Sequence, residues 1–385
     1  MILEVSASGF SVETAGGGER YFSGLAEYLE SQGVGISWAS IPKKSIGKNF
    51  SIGSHGEIHA NIAGILHKTN PIPTLKTIMD MKVFMSRFEN EINIIHIHNF
   101  RTISGALWTI LSKFAKKRRD IKMILTDHGS MFAPFPRYLI KDFDYYAPVC
   151  ELSNSYLQKL MPKPFQIVRT FVTDDFIKLN LNKTFEDRNI DILFVGRILP
   201  VKGIDKILDL GETLKNSGFN DIQIRIAGNP FNQAYFEKLK NMINAKNLSS
   251  NVKILTGVND NGIIELYNSS RLFVHLGSET DIYGRRYAYP ELSPIVLLEA
   301  LSFGLPIIST KTHSTAIEAN LGGGEVFVVE PNDHDKIFNL AKKILEDRVT
   351  WNKISSKNRE YVINERTLSK IGAEFLKFIN SIMEE

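Results

Sequence analysis

Hydrophobic positions along the chain form two alternating kinds of segment. Short apolar runs rich in Ile and Val alternate with longer segments in which apolar residues recur at helical spacing. This order predicts β-α units, which build parallel sheets. The runs predicted to be strands are Ile2–Val5, Gly35–Ala39, Ile94–His98 and Met123–Thr126 in the first half, and Asp191–Val195, Ile222–Ala227, Val252–Leu255, Leu272–His275, Pro306–Ser309 and Val326–Val329 in the second.

Two series of strands in a chain of 385 residues predict two domains, each a doubly wound, Rossmann-like α/β domain. The segment 163–182 contains Pro164 and has no clear helical period, so we expect the interdomain connection there. The first domain is then 1–172 and the second 173–366. The amphipathic segment within 367–385 needs a partner surface, and we expect it to pack back on the first domain.

Composition fits a folded globular protein, with 43% hydrophobic and 23% charged residues. Cys150 is the single cysteine, so neither an intrachain disulfide nor a cysteine-based zinc cage is expected. The first residues lack the basic and long apolar regions of a secretory signal, and no apolar run approaches the ~18 residues of a membrane span. We therefore expect a cytoplasmic protein, peripheral to the membrane at most.

The net charge of +4 is unevenly distributed. Residues 1–172 carry 20 Lys or Arg against 14 Asp or Glu, whereas the rest carries 26 against 28. An anionic membrane surface would attract such a basic domain by ~1 kcal/mol per cation. The alternative is a solvated helix end whose cations match the helix dipole. Nucleic acid is not an expected partner. The densest cationic cluster is Lys113, Lys116, Lys117, Arg118 and Arg119.

Candidate chemistry is sought in the loops after strands, because open α/β sheets bind ligands at the carboxyl ends of their strands. The first such loop holds Gly16, Gly17 and Gly18 before a predicted helix. Glycines at a helix start let a ligand approach the backbone, and the helix dipole favours an anion such as phosphate. The alternative is a flexible turn. The buried stripe predicted for this helix is Tyr21, Phe22, Leu25, Tyr28 and Leu29.

The segment from Gly196 to Gly203 follows another predicted strand and precedes a helical segment at 204–215. It places Arg197 and Lys202 in one strand-to-helix loop. Two fixed cations there could neutralise a nucleotide diphosphate. The alternative is a pair of unrelated surface cations.

Glu291 and Glu299 are separated by seven residues that include Ser293 and Pro294. Ser293 is a good N-cap and Pro294 a good first helical residue, which predicts a buried helix beginning here. Glu299 would lie six residues beyond the cap, roughly 9 Å along the axis. The two carboxylates could hold two hydroxyl-bearing ends of a sugar nucleotide whose diphosphate rests on the helix start. The alternative is a capping acid plus a half-buried Glu299 that needs a partner among its leucine neighbours.

Three histidines lie at predicted strand ends. Strand alternation puts His96 and His98 on one face, so metal ligation is a hypothesis, but no cysteine or third ligand is suitably spaced in the sequence. Packing or hydrogen bonding is the preferred interpretation. His128, which precedes Gly129 and Ser130, is better placed to contact a ligand.

Taken together, these stretches resemble family 4 of the retaining glycosyltransferases over nearly the whole chain. The first-domain motifs are Gly16-Gly-Gly-Glu-Arg20, Ile94-Ile-His-Ile-His98 and Thr126-Asp-His-Gly129. Those of the second domain are Gly196-Arg197 with Lys202-Gly203, Ile226-Ala-Gly-Asn229, and Glu291-x7-Glu299-Ala300 followed by Gly304-Leu-Pro306. The resemblance implies the GT-B fold, in which two Rossmann-like domains face each other across a cleft.

The resemblance also implies site roles. Arg197 and Lys202 would bind the donor diphosphate, and Gly16 or Gly17 would meet it from the other domain. Glu291 would hold hydroxyls of the transferred sugar, and Glu299 the ribose. His128 would hydrogen-bond the sugar near the reacting centre. Further donor-binding candidates at the predicted helix start are Ser293 and Ile295.

The implied reaction moves a hexose-like sugar from a UDP- or GDP-sugar to a hydroxyl of a glycan or lipid-linked saccharide, with retention and without a metal or another cofactor. The two Asp-x-Asp pairs, at 142–144 and 333–335, then need not bind metal, and Asp333 is expected to cap a helix. Three alternatives stay open: an epimerase, a sugar phosphorylase and a noncatalytic sugar-nucleotide-binding subunit. Pro294 departs from the family pattern by removing a backbone N–H. The long 279–290 segment could shape a pocket or mediate self-association.

Overall fold

The computed structural model describes residues 1–6, 17–40, 91–98, 103–117, 119–128, 137–287 and 292–385. These residues divide into two compact units. The first comprises Met1–Thr170 with Leu368–Glu385, and the second Phe171–Thr367. The segment predicted to connect the domains also contains a short helix, Asp174–Lys178, which Thr173 caps by accepting from the backbone N–H of Phe176.

The first unit contains a parallel five-stranded sheet in the order β2-β1-β3-β4-β5. This doubly wound order reverses direction between the neighbours β1 and β3. Glu4 lies beside His96 in the register of these two strands. The strands are β1 Ile2–Ser6, β2 Ile36–Ser40, β3 Ile94–His98, β4 Lys122–Thr126 and β5 Tyr145–Tyr146.

The helices of the first unit include the terminal segment that the sequence left in need of a partner. The amphipathic C-terminal helix contacts the first helix, and Gly372 allows a close approach to the ring of Tyr28. The helices are α1 Gly17–Ser31, α2 Ile103–Lys116 and α3 Glu151–Leu160, with α12 Leu368–Glu384 from the chain end and a 3-10 turn at Arg137–Asp142.

The second unit contains a parallel six-stranded sheet in the order β11-β10-β9-β6-β7-β8, which reverses direction between β6 and β9. Its strands are β6 Ile190–Val195, β7 Ile224–Ala227, β8 Val252–Leu255, β9 Ser270–His275, β10 Ile307–Thr310 and β11 Val326–Val329. Its helices are α4 Asp174–Lys178, α5 Ile204–Asn216, α6 Gln233–Ala245, α7 Asp260–Ser269, α8 Ile295–Ser302, α9 Ser314–Leu321, α10 His334–Glu346 and α11 Arg348–Glu365.

The predicted α/β class with two doubly wound parallel sheets is confirmed. Every predicted strand is present to within two residues, and the two-residue strand β5 was missed. Helix α1 begins at Gly17, so Gly17 and Gly18 are helical and do not form a loop before the helix. Of its predicted stripe, Tyr21, Phe22 and Leu25 are buried, as is Leu29. Across the described ranges, no helix combines the length and apolarity that a bilayer span requires.

Candidate functional site

The direction change of the second sheet brings two loops into contact. Gly203 ends the turn after β6 with φ of +67°, and a Cβ atom there would overlap the carbonyl of Leu276, just beyond β9. The backbone N–H of Ser278 donates to the carbonyl of Val201 at 3.2 Å. The crevice beside such a switch point is where open α/β sheets bind ligands.

Arg197 and Lys202 both lie in the loop between β6 and α5, as the sequence predicts. Lys202 is 6% exposed, whereas Arg197 is at the surface. The Arg197 guanidinium carbon lies 5.2 Å from the ring centroid of Phe231. Ile198 ties this loop to the one after β7, since its N–H donates to Asn229 at 3.0 Å and its carbonyl accepts from Phe231 at 3.2 Å.

Phe231 was not among the predicted site residues, although it is 60% exposed beside a candidate ligand-binding cation. The available signal was an aromatic residue in the Gly228–Phe231 loop, directly after a predicted strand. A cation over an aromatic face gains roughly 0.5–1 kcal/mol at exposed sites. Phe231 therefore restricts the directions in which Arg197 points.

The helix start at 292–295 differs from the prediction. Pro294, with φ of −69° and ψ of 119°, is the N-cap residue, and Ile295 is the first helical residue of α8. The prediction of Ser293 as N-cap is wrong. The extended backbone of Pro294 means that it is not the first helical residue, and the Ser293 hydroxyl lies 3.0 Å from that of Thr315. Glu291 lies outside the described residues.

Glu299 is 5% exposed in α8 and accepts a hydrogen bond from the hydroxyl of Tyr267 at 2.8 Å. A buried carboxylate among leucines requires a hydrogen-bond partner, and Tyr267 is such a partner. Because the helix starts one residue later than predicted, Glu299 lies five residues past the cap, about 7.5 Å along the axis.

The described part of the 279–290 segment is held together by Asp281. Its Oδ1 accepts from the backbone N–H groups of Tyr283 at 2.9 Å and Arg285 at 3.0 Å, and its Oδ2 accepts from the hydroxyl of Tyr287 at 2.9 Å. Residues 279–287 thus form a turn with an internal hydrogen-bond network.

The carboxyl edge of the first sheet carries a polar cluster, here called the histidine network: the buried residues Glu4, His96, His98 and Thr126, with His128 half-buried beside them. Nδ1 of His96 lies 3.0–3.1 Å from the Glu4 carboxylate oxygens, and Nε2 of His98 lies 2.9 Å from Glu4 Oε2. Nε2 of His96 lies 2.8 Å from the Thr126 hydroxyl. His96 and His98 thus lie on one face, as strand alternation predicts, and both contact Glu4, which was not predicted.

His128 extends the histidine network toward the end of β4. Its Nε2 lies 3.1 Å from Nδ1 of His98, and the two rings are stacked with centroids 5.3 Å apart. The ring of Tyr21 on α1 meets His128 edge-on at 5.0 Å. The hydroxyl of Tyr21 donates to the carbonyl of Val168 at 2.7 Å, which fixes that ring.

Burial and mutual charge set the ionisation of this cluster. The pKa of Glu4 is lowered to about 2 because the charge and hydrogen bonds of the two histidines outweigh its burial. Burial, followed by the charge of His96, lowers the pKa of His98 to about 4. Burial also lowers the pKa of His128 well below its ordinary value. At neutral pH, Glu4 is therefore a carboxylate while His98 and His128 are uncharged.

Glu4, His96 and His98 also form a set of three residues that could hold a metal, with ligand atoms within 4.8 Å of one another. The expectation that no third ligand accompanies the two histidines is therefore wrong. The signal was a lone acid inside the apolar strand Ile2–Val5. However, ring nitrogens of His96 and His98 already lie at hydrogen-bonding distance from the Glu4 carboxylate. The same geometry therefore suits hydrogen bonds as well as a bound cation.

The predicted site residues fall into two groups. Arg197, Lys202, Ser293, Ile295 and Glu299 lie in the second unit, whereas Gly17 and His128 lie in the first. Gly16, like Glu291, falls outside the described residues.

Three acids of the two Asp-x-Asp pairs, Asp142, Asp144 and Asp333, have structural contacts. Asp142 pairs with Lys113 at 3.0 Å, and Asp144 pairs with Lys116. Asp333 caps α10 by accepting from the backbone N–H of Lys336 at 3.2 Å, as predicted.

Comparison with known proteins relates the fold to that of glycosyltransferases. A crystal structure of a glycosyltransferase from Rickettsia africae superposes with a TM-score of 0.73 at 18% identity, covering 100% of this chain and 99% of that one. The structure of Anabaena HepE in complex with UDP superposes with a TM-score of 0.67 at 14% identity, covering 99% of each chain. The architecture is thus that of the GT-B class.

Sequence comparisons give a relative of the chain and a family model that matches part of it. An uncharacterized glycosyltransferase of Haemophilus influenzae is 23% identical over 361 residues, which are 91% of this chain and 92% of that protein. Residues 177–362 match the family described as Glycosyl transferases group 1. Residues 177–362 of the second unit are therefore similar to the group 1 glycosyl transferases, within a chain that has the GT-B fold.

Proposed function

We propose that the protein transfers a hexose-like sugar from a UDP- or GDP-sugar to a hydroxyl of a glycan or lipid-linked saccharide, with retention and without a metal. The observation that carries this proposal is the loop between β6 and α5. It holds Arg197 and Lys202 at the switch point, with Gly203 packed against Leu276. Sugar transfer develops negative charge on the leaving diphosphate, and fixed cations stabilise that charge.

The remaining donor contacts are assigned by the resemblance to the glycosyltransferase family. The start of α8 at Ile295 offers the positive end of the helix dipole to the diphosphate, and Ser293 just before it would contact the donor. Glu299, oriented by Tyr267, would bind the ribose. Glu291 would hold the transferred sugar, and Gly16 or Gly17 would meet the donor from the first unit. His128 would hydrogen-bond the sugar.

The nucleotide is tested by thermal unfolding with UDP-, GDP- and ADP-sugars. A donor present at 100 times its Kd should stabilise the protein by about 2.7 kcal/mol. Stabilisation by a UDP- or GDP-sugar, but not by the free sugar, is the expected result. No shift with any of the three nucleotides would contradict the donor assignment.

The reaction is tested by incubating the best donor with saccharide acceptors and following the anomeric protons by NMR. Retention predicts a product with the anomeric configuration of the donor, and activity should survive chelation by EDTA. Conversion of the donor without any acceptor would indicate an epimerase. Phosphorolysis of a saccharide would indicate a phosphorylase, and donor binding without turnover a noncatalytic subunit.

A further inference from the structure

The loop that carries Arg197 and Lys202 is held at both ends by the segment that follows β7 and begins α6. At the first end, the backbone N–H of Ile198 donates to the carbonyl of Asn229 at 3.0 Å, and the N–H of Phe231 donates to the carbonyl of Ile198 at 3.2 Å. These two bonds fix the first half of the loop to the neighbouring strand-end loop.

Tyr235 holds the second end of the loop, at the start of α5. The first backbone N–H groups of a helix lack intrahelical partners, and Gly203, the N-cap residue of α5, has no side chain that could accept from them. The Tyr235 hydroxyl accepts from the backbone N–H of Asp205 at 3.2 Å and donates to Asp205 Oδ1 at 2.7 Å. Tyr235 thus supplies, from α6, the cap that Gly203 cannot provide.

The need for an outside cap follows from the close packing at the switch point. Gly203 has left-handed backbone, with φ of +67°, and a Cβ atom there would overlap the carbonyl of Leu276. The residues that commonly cap helices with their side chains all have a Cβ atom, so none of them fits at this position. The capping hydroxyl must therefore come from a neighbouring element, and Tyr235 in the first turn of α6 provides it.

The bond between Tyr235 and Asp205 is shielded from water. Tyr235 is fully buried, and Asp205 is 5% exposed. Burial, followed by the charge of Asp205, raises the pKa of the Tyr235 hydroxyl far above its ordinary value, so the hydroxyl keeps its proton at neutral pH. The ring of Tyr283 meets that of Tyr235 at 70° with centroids 6.5 Å apart, a favourable edge-on geometry. The turn at 279–287 therefore packs against the residue that caps α5.

We propose that Tyr235 is a positioning residue which, by capping α5, holds Lys202 in the orientation that binds the donor diphosphate. This inference rests on the proposed function for the role of Lys202. Gly203 alone separates Lys202 from Ile204, the first residue of α5, so a frayed helix start would displace the lysine. Tyr235 is buried and acts through α5 rather than by contact with the donor.

Hydrogen exchange in the wild-type protein and in Tyr235→Phe tests the cap. Phenylalanine keeps the ring and removes the hydroxyl, so the Asp205 amide loses its acceptor. We expect amide exchange in a peptide covering 202–208 to be about tenfold faster in the variant, the effect of one lost hydrogen bond. A peptide from α7 should exchange at the wild-type rate. Equal exchange over 202–208 in the two proteins would overturn the proposal.

Donor binding tests the positioning role. Tyr235→Phe should raise the Kd of the UDP- or GDP-sugar about tenfold, again by the loss of one hydrogen bond. Tyr146→Phe is the matched control, because it removes the hydroxyl of a buried tyrosine of the first unit, which donates to the carbonyl of Met161 at 2.9 Å. The control should lose stability to a similar extent and keep the wild-type Kd. An equal rise of the Kd in both variants would overturn the positioning role.

A double-mutant cycle tests whether Tyr235 acts through Lys202. The Lys202→Ala background has no side chain to position, so adding Tyr235→Phe should change the Kd by less than about twofold. A further tenfold rise in that background would show that Tyr235 acts independently of Lys202. Should Tyr235→Phe fail to fold, Asp205→Ala takes its place in both measurements. Its reference is Asp205→Asn, which also lacks the charge but keeps the oxygen that accepts from Tyr235.

The outcomes separate this proposal from the proposed function. If the wild-type protein binds no nucleotide sugar, the proposed function fails and the role of Lys202 fails with it, while exchange still decides whether Tyr235 caps α5. If the protein binds a donor but transfers no sugar, the Kd cycle still decides the positioning role. If exchange rises in Tyr235→Phe while the Kd stays at the wild-type value, the positioning role is wrong although the cap exists.

Discussion

The two sheets use their carboxyl edges differently. At the edge of the first, buried side chains bond to one another, from Glu4 through the histidines to Thr126. At the edge of the second, backbone segments pack closely, with Gly203 against Leu276 and Gly228 against the carbonyl of Gly196. The first arrangement is a hydrogen-bonded set of side chains, and the second fixes a loop that carries cations. Substitutions should therefore act through side-chain ionisation in the first unit and through loop geometry in the second.

The largest effect is expected from the cations of the second edge. Replacing Lys202 or Arg197 by Ala should lower turnover about 10²- to 10³-fold, since each removes a fixed charge from the developing diphosphate. Steady-state kinetics with saturating acceptor measures the loss, and circular dichroism checks the fold. Lys253→Ala, which removes an exposed lysine from β8, is the control and should be silent. Wild-type turnover in both site variants would remove this loop from the mechanism.

The next largest effect is expected from acidification, which should lower the stability of the protein through the histidines at the edge of the first sheet. The pKa of His98 is lowered from 6.5 to about 4 in the folded protein, so below pH 6.5 the unfolded chain binds more protons than the folded one. Stability from this residue is complete above pH 6.5 and is lost as the pH falls toward 4, by an amount on the order of 3 kcal/mol. His128, with its lowered pKa, acts in the same direction. Glu4, whose pKa is about 2, loses its contribution only between pH 4.5 and 2.

Urea unfolding from pH 7 to 4 measures this loss. The titratable groups facing His98 are Glu4, His96 and His128, and Tyr21 stays uncharged because burial raises its pKa. His98→Gln should flatten the pH dependence between 6.5 and 4. An unchanged slope in that variant would show that the acid sensitivity arises elsewhere.

The same contrast explains what could be predicted from sequence. Arg197 and Lys202 share one loop because a strand, a turn and a helix follow one another in the chain, so local pattern sufficed. The link between Glu4 and His96 joins residues 92 positions apart through sheet register, which no local pattern contains. The prediction of Ser293 as N-cap was wrong for a related reason, because its hydroxyl makes a tertiary contact with Thr315.

Other differences have equally specific causes. Strand β5 has two residues, too few for any periodicity to show. Phe231 was passed over because exposed aromatic residues are common, and its stacking on Arg197 depends on two loops that meet through Ile198. The helix α5, in contrast, was predicted to within one residue at its end because a left-handed Gly203 begins it and its apolar face is regular.

A smaller effect is expected from two glycine substitutions, which together should separate the effect of loop geometry from that of backbone strain. Gly203→Ala and Gly218→Ala both place a side chain on left-handed backbone, with φ of +67° and +104°, at about 1–2 kcal/mol each. A Cβ at Gly203 also overlaps Leu276, whereas nothing lies within 4 Å at Gly218. Gly203→Ala should raise the donor KM because Lys202 shifts, and Gly218→Ala should destabilise the protein without altering KM. Equal KM values in the two variants would show that the Leu276 contact does not position Lys202.

The smallest predicted effect concerns the basic cluster of the first unit. Ion pairs to Asp142 and Asp144 already engage Lys113 and Lys116, while Lys117 and Arg119 are exposed next to Phe114, which is 54% exposed. With ~1 kcal/mol per cation, those two residues supply about 2 kcal/mol toward an anionic membrane. Co-sedimentation with phosphatidylserine vesicles should therefore be weak and should decrease about 30-fold when both are changed to Ala, by the tenfold per 1.4 kcal/mol relation. Tight binding that survives both substitutions would assign the membrane contact to another surface and leave this helix end as a solvated, dipole-matched terminus.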